Sequence, residues 1–196
     1  MALIKSALEL ALENTADIVG DKESIRHREL EERGKRIASR FLFDLEEKNE
    51  ELASALKEQK KEEKKEVTDA VVSVFLSNIT LPREEVATAM LDRIKEGLIV
   101  ITGEKKKIPA VIDQLSQFFL QFIENRDQII EHLKKQFQPQ LDAKSKALSR
   151  QYGRQVNLTP EQDPEFMEHL NHNLGKLEEQ YQNALDQAKK DLAAMV

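Results

Sequence analysis

Residues 109–137 read PAVIDQLSQFFLQFIENRDQIIEHLKKQF. In this stretch Val111, Ile112, Leu115, Phe118, Phe119, Phe122, Ile129, Leu133 and Phe137 recur every three or four positions. That rhythm gathers apolar side chains on one face of an α-helix and predicts a long seam for a second helix. Pro109 suits the first turn, where no amide hydrogen is needed. Asn125 and Arg126 stand where an apolar residue is due. A polar group in such a seam fixes register or partner number at some cost in stability; a local turn or a ligand-binding pair are the alternatives. Pro139 is expected to kink or break the helix after Phe137, because its ring removes one backbone bond. Leu141, Leu148 and Tyr152 continue a weaker stripe, and Gly153 is a natural stop.

Downstream, Thr159-Pro160-Glu161-Gln162 has the residues of a capping box with proline at the first helical position, and Asp163-Pro164 repeats the start signal. The last helix carries Met167, Leu170, Leu174, Leu177, Tyr181, Ala184 and Ala188 in a heptad rhythm, then Leu192 and Met195. At 1.5 Å per residue the two seams would run roughly 44 and 48 Å. Similar lengths on either side of the Gly153–Asp163 connector predict a long antiparallel coiled-coil-like hairpin over residues 109–196.

Upstream, residues 67–108 form the most apolar region. Val67, Ala70, Val71, Val74, Phe75, Leu76 and Ile79 make one helix face. Pro82, followed by Glu84 and Glu85, is expected to open a helix with Val86, Ala87, Met90, Leu91, Ile94 and Leu98 inward. Residues 98–101 could read as a short strand; a helix end plus turn is preferred, since a lone strand leaves its backbone groups unpaired. Residues 57–66 hold no apolar residue, and their mixed charges give pairs that nearly cancel, so they read as an exposed spacer or hinge. Residues 1–56 read as a helical arm. Its first segment places Leu3, Ile4, Ala7, Leu8, Ala11 and Leu12 on one face, with Gly20 as a stop and Asp21 as the next cap. Glu9, Glu13 and Asp17 outnumber Lys5 there, which favours docking on a protein helix over a membrane surface. Gly34 interrupts the following stripe and weakens that helix by about 1 kcal/mol relative to alanine.

Composition agrees with long helices that expose most of their surface. The chain has 196 residues, 34% charged and only 5% aromatic, with no Trp and a net charge of −6. The acidic balance argues against a nucleic-acid binder, because Lys105-Lys106-Lys107 and Arg33-Gly34-Lys35-Arg36 are flanked by acidic residues. Cysteine is absent, which removes thiolate chemistry and cysteine-based metal sites. No apolar run approaches the ~18 residues of a membrane span. No secretory leader is recognisable, so a cytoplasmic location is expected and the sequons at Asn78 and Asn157 read as chance matches.

Three strings, Ala2-Leu3-Ile4-Lys5-Ser6-Ala7-Leu8-Glu9, Phe137-Gln138-Pro139-Gln140-Leu141 and Pro160-Glu161-Gln162-Asp163-Pro164-Glu165-Phe166, resemble an uncharacterised family of bacterial helical proteins. The resemblance covers most of the chain. It implies a bacterial, non-secreted helical protein and brings no activity or functional residues with it.

A search for chemistry leaves little. Glu165, Glu168, His169 and His172 have helical spacings that could gather around a divalent metal, but the helical zinc arrangement is His-Glu-x-x-His and this is not it. No Glu-x-x-His of a di-iron bundle occurs, and His27 and His132 stand alone. There is no phosphate-binding glycine loop; Thr102-Gly103-Glu104-Lys105 reads as a turn ending a helix. No nucleophile triad is grouped, and Phe118, Phe119 and Phe122 read as core. The expectation is therefore an all-α, elongated, non-enzymatic scaffold or protein-interaction module without cofactor or metal. It would self-associate as a homo-oligomer or bind a protein partner. Its interaction seam would be Leu170, Leu174, Leu177, Tyr181, Ala184 and Ala188 with Leu3, Ile4, Leu8 and Leu12. A chaperone-like or regulatory binder using exposed apolar helix faces is the alternative.

Overall fold

A computed structural model describes the backbone of residues 7–44, 46 and 48–196, and the side chains of residues 22–44, 46 and 48–196. Among these residues the secondary structure is entirely helical: α1 (Ala7–Phe43), α2 (Asn49–Lys57), α3 (Lys64–Ser77), α4 (Thr88–Thr102), α5 (Lys107–Tyr152) and α6 (Pro164–Ala193), with a 3-10 turn at Pro160–Gln162. The chain divides into two compact units. One comprises residues 1–79, 92–108 and 195–196; the other comprises residues 80–91 and 109–194.

In the first unit α3 lies along α1. Leu30, Ala38, Phe41 and Leu42 of α1 are buried, as are Val67, Val71 and Phe75 of α3. Leu52 and Leu56 of α2, Ile94 and Leu98 of α4, and Ile108 complete this core. Each such Leu, Ile, Val or Phe side chain contributes about 1.5–3 kcal/mol on leaving water. Gly34 marks a close helix crossing: a Cβ there would fall 2.5 Å from the Ala70 Cβ and 2.6 Å from the Val67 carbonyl oxygen. Gly97 is likewise pressed against the Phe75 and Phe41 rings. The weakness that these glycines bring to their own helices is exchanged for the approach of a neighbour. Of residues 57–66, the expected spacer, Lys57 ends α2, residues 64–66 open α3, and residues 58–63 form the turn between them within this unit. Glu63, at its end, is buried and takes Arg33 at 3.0 Å and Arg26 at 3.7 Å.

Several boundaries differ from those expected. α1 runs through Gly20 without stopping, since a helical glycine costs stability but ends a helix only when a turn takes it to positive φ. Among the described residues the positive-φ glycines are Gly103 and Gly153, which directly follow α4 and α5. α4 begins at Thr88, not Pro82, and the Arg83 carbonyl ahead of it accepts from the Arg126 guanidinium. α4 then continues through residues 98–101, where a helix end had been expected. α5 passes through Pro139 unbroken: Leu133, Phe137 and Leu141, on both sides of the proline, are buried in one cluster with Phe166. That shared core offsets the backbone bond which proline removes.

Candidate functional site

The second unit carries the residues expected to form the interaction seam. At the start of α6 the local chemistry is as read: the Thr159 amide donates to Oε1 of Gln162 at 3.1 Å, and Asp163 caps the helix. The Glu165 and Phe166 amides donate to Oδ1 of Asp163 at 3.0 and 3.2 Å, and Lys144 of α5 donates to Oδ2 at 2.5 Å. Asp163 is 1% exposed. The Lys144 bond and the two amides hold its carboxyl below the usual carboxylate range, against burial, which raises it. Asp163 and Glu165 in turn hold Lys144 above its ordinary value.

Next to this cap lies the buried cluster of Leu133, Phe137, Leu141 and Phe166, with the Phe137 and Phe166 rings edge to face at 5.6 Å. Further along, the Asn125 side chain donates to the Tyr181 hydroxyl at 2.7 Å, and the Tyr181 ring stands 4.7 Å from Phe118 and 5.1 Å from Phe122. The two polar residues that interrupt the α5 seam are thus both engaged within a continuous helix, Asn125 with Tyr181 and Arg126 with the Arg83 carbonyl.

Of the predicted seam residues on α6, Leu177 is buried, Leu170, Leu174, Tyr181 and Ala188 are half-buried, and Ala184 is exposed. The most deeply buried side chains of α6 include Phe166, Leu185 and Leu192; of these, the sequence stripe contained Leu192 but missed Phe166 and Leu185. A bulky apolar residue in the first turn was the available signal for Phe166. Leu3 and Ile4 lie outside the described residues, and Leu8 and Leu12 fall in the part of α1 whose side chains are not described. Glu165 pairs with Lys144, and the His169 ring packs 5.4 Å from Phe137, which places His169 at the seam's edge. Among the described residues no group of three or more His, Asp or Glu is placed to hold a metal ion. No described helix is long and apolar enough to cross a membrane.

Two clefts open between α5 and α6. One, of about 670 Å³, is lined by Asn125, Gln128, His132 and Gln136 of α5 and by His169 and Asn173 of α6, over a floor of Ile129, Leu133 and Leu177. The other, of about 280 Å³, is lined by Val111, Gln114, Leu115, Phe118, Ala184 and Ala188. None of these residues is Asp, Glu, Lys or Arg, in a chain of which 34% is charged. Other clefts of this unit are charged: one contains Arg83, Arg126, Glu178 and Glu179, another Asp142, Lys146 and Arg150.

The sequence profile of a family of unknown function, DUF6657, matches residues 53–194, from within α2 to beyond the end of α6. The chain belongs to this family. The DUF6657 match contains every residue of the Asp163 cap, the Phe137–Phe166 cluster and both neutral clefts, and leaves α1 outside it. No curated protein and no solved structure matches the chain.

Proposed function

We propose that this protein is a non-enzymatic helical interaction module in which α5 and α6 pair as an antiparallel, coiled-coil-like hairpin that self-associates. The order of contacts supports the pairing. Phe137 meets Phe166, Asn125 meets Tyr181, and Val111 shares a cleft with Ala184 and Ala188, so positions that fall along α5 rise along α6. The observation that carries self-association is the half-covered state of Leu170, Leu174, Tyr181 and Ala188, with Ala184 exposed. A heptad stripe retains such residues when more than one neighbouring helix contributes to its burial. The absence of charge from both clefts points the same way, because the core of an interface is depleted of charged residues. Size-exclusion chromatography with light scattering tests the reading. A dimer or larger species is expected at micromolar concentration, and a monomer at high micromolar concentration would refute self-association.

A further inference from the structure

The two neutral clefts share one side of the α5–α6 pair. Val111, Phe118, Asn125 and His132 are spaced by seven and so lie on one face of α5; Leu177 and Ala184 are related in the same way on α6. Taken together as one groove, they are apolar at the Val111–Ala188 end and rich in amides and imidazoles at the Gln136–His169 end. The geometry points to a second copy of this groove as its occupant, the two copies running in the same direction about a two-fold axis along the helices. The inference rests on the self-association reading and assigns it a surface and an orientation.

Three arguments select this partner. From Val111 to Gln136 the groove runs about 38 Å at 1.5 Å per residue. Two helices about 10 Å apart present a face roughly 20 Å wide, so pairing covers roughly 700 Å² on each copy, or about 1,400 Å² in all. That total lies in the range of stable specific dimers. Second, a groove without formal charge offers no attraction to an acidic or basic partner, while another such groove brings no unpaired charge to bury. Third, Asn and Gln side chains both donate and accept, so an amide-lined surface complements its own copy. Direction follows from the same chemistry. Parallel copies bring amides to amides and apolar residues to apolar residues. Antiparallel copies would lay His132 and Gln136 on the apolar half, away from the matching polar groups of the other copy.

Because the chain has no Cys, single-cysteine variants report cleanly. Gln114→Cys and Gln136→Cys probe the two ends of the groove, and Glu179→Cys probes the charged cleft elsewhere on the pair. With a short bismaleimide, Gln114→Cys and Gln136→Cys should each cross-link to their own copy, and Glu179→Cys should not. Gln128→Glu should weaken dimerisation at least tenfold with an unchanged helical circular-dichroism spectrum; should it unfold the chain, Gln114→Glu replaces it. Cross-linking of Gln114→Cys only with Gln136→Cys would overturn the parallel arrangement. Cross-linking through Glu179→Cys alone would overturn the groove while leaving self-association standing. A monomer throughout would overturn both.

Discussion

Lys144 and Asp163 meet at 2.5 Å between Nζ and Oδ2, and the other oxygen of the same carboxylate closes the first turn of α6. One side chain therefore both starts a helix and ties it to α5. The folded-state pKa of Asp163 is lowered, so its contribution to stability is present above the unfolded aspartate value and is lost as pH falls through the folded one. Lys144 is raised, so its contribution is complete below the unfolded lysine value and is lost as pH rises through the folded one. Thermal melts across pH should show stability falling at both acidic and strongly alkaline extremes. Asp163→Asn, which can still cap, should flatten both flanks, and Asp163→Ala should in addition lower the melting temperature by several degrees near neutrality.

Two glycine substitutions should have opposite signs. Gly175 of α6 has nothing within 4 Å of an added Cβ, so Gly175→Ala should stabilise by about 0.5–1 kcal/mol through helix propensity. Gly34→Ala would drive a methyl group into Ala70 and the Val67 carbonyl, and should destabilise by about 1–3 kcal/mol. Urea titrations of both variants measure the difference; stabilisation by Gly34→Ala would refute the close crossing.

Asn125 and Tyr181 should be coupled. Tyr181→Phe leaves the Asn125 amide without its seam partner and should cost about 0.5–1.5 kcal/mol. In a double-mutant cycle, Asn125→Ala should remove most of that cost. Asn125→Leu should raise the melting temperature while broadening the distribution of oligomers seen by light scattering, as expected when a polar register-setting residue leaves a seam.

The imidazoles of α6 should separate. His169 packs on Phe137, so His169→Ala should lower stability measurably, whereas the exposed His172→Ala should stay within about 0.5 kcal/mol of the parent. EDTA should leave the melting temperature unchanged. A fall of several degrees on chelation, reversed by one divalent metal, would revive the metal reading of Glu165, Glu168, His169 and His172.

Much of the second unit was legible in order along the chain. Thr159, Asp163 and Gly153 act through their immediate neighbours, so their roles survive in any helical context. The apolar rhythm of α5 located Phe119, Phe122, Leu133 and Phe137, all of which are buried. What stayed hidden depends on distant partners. Gly34 and Gly97 look like defects until Ala70 and the Phe41 and Phe75 rings are set beside them. The contact of Arg126 with the Arg83 carbonyl, 43 positions away, has no signal in local spacing. Leu185 and Phe166 lie one position from the assigned stripe, because a heptad template fixes a period more firmly than a phase. The neutral groove was invisible for a different reason: absence of charge on one side of two helices shows only when both are aligned.

The first unit is assembled from separate stretches of chain, and this sets a schedule for synthesis. Phe41 and Phe75, whose ring centroids lie 5.7 Å apart, are both made before Gly97, the backbone they close upon. At about 5–20 residues per second, the ribosome needs roughly one to four seconds to travel from Phe75 to Gly97. Until Gly97 is made, the Phe41 and Phe75 rings have no backbone to close upon, so this part of the core is completed only after that interval.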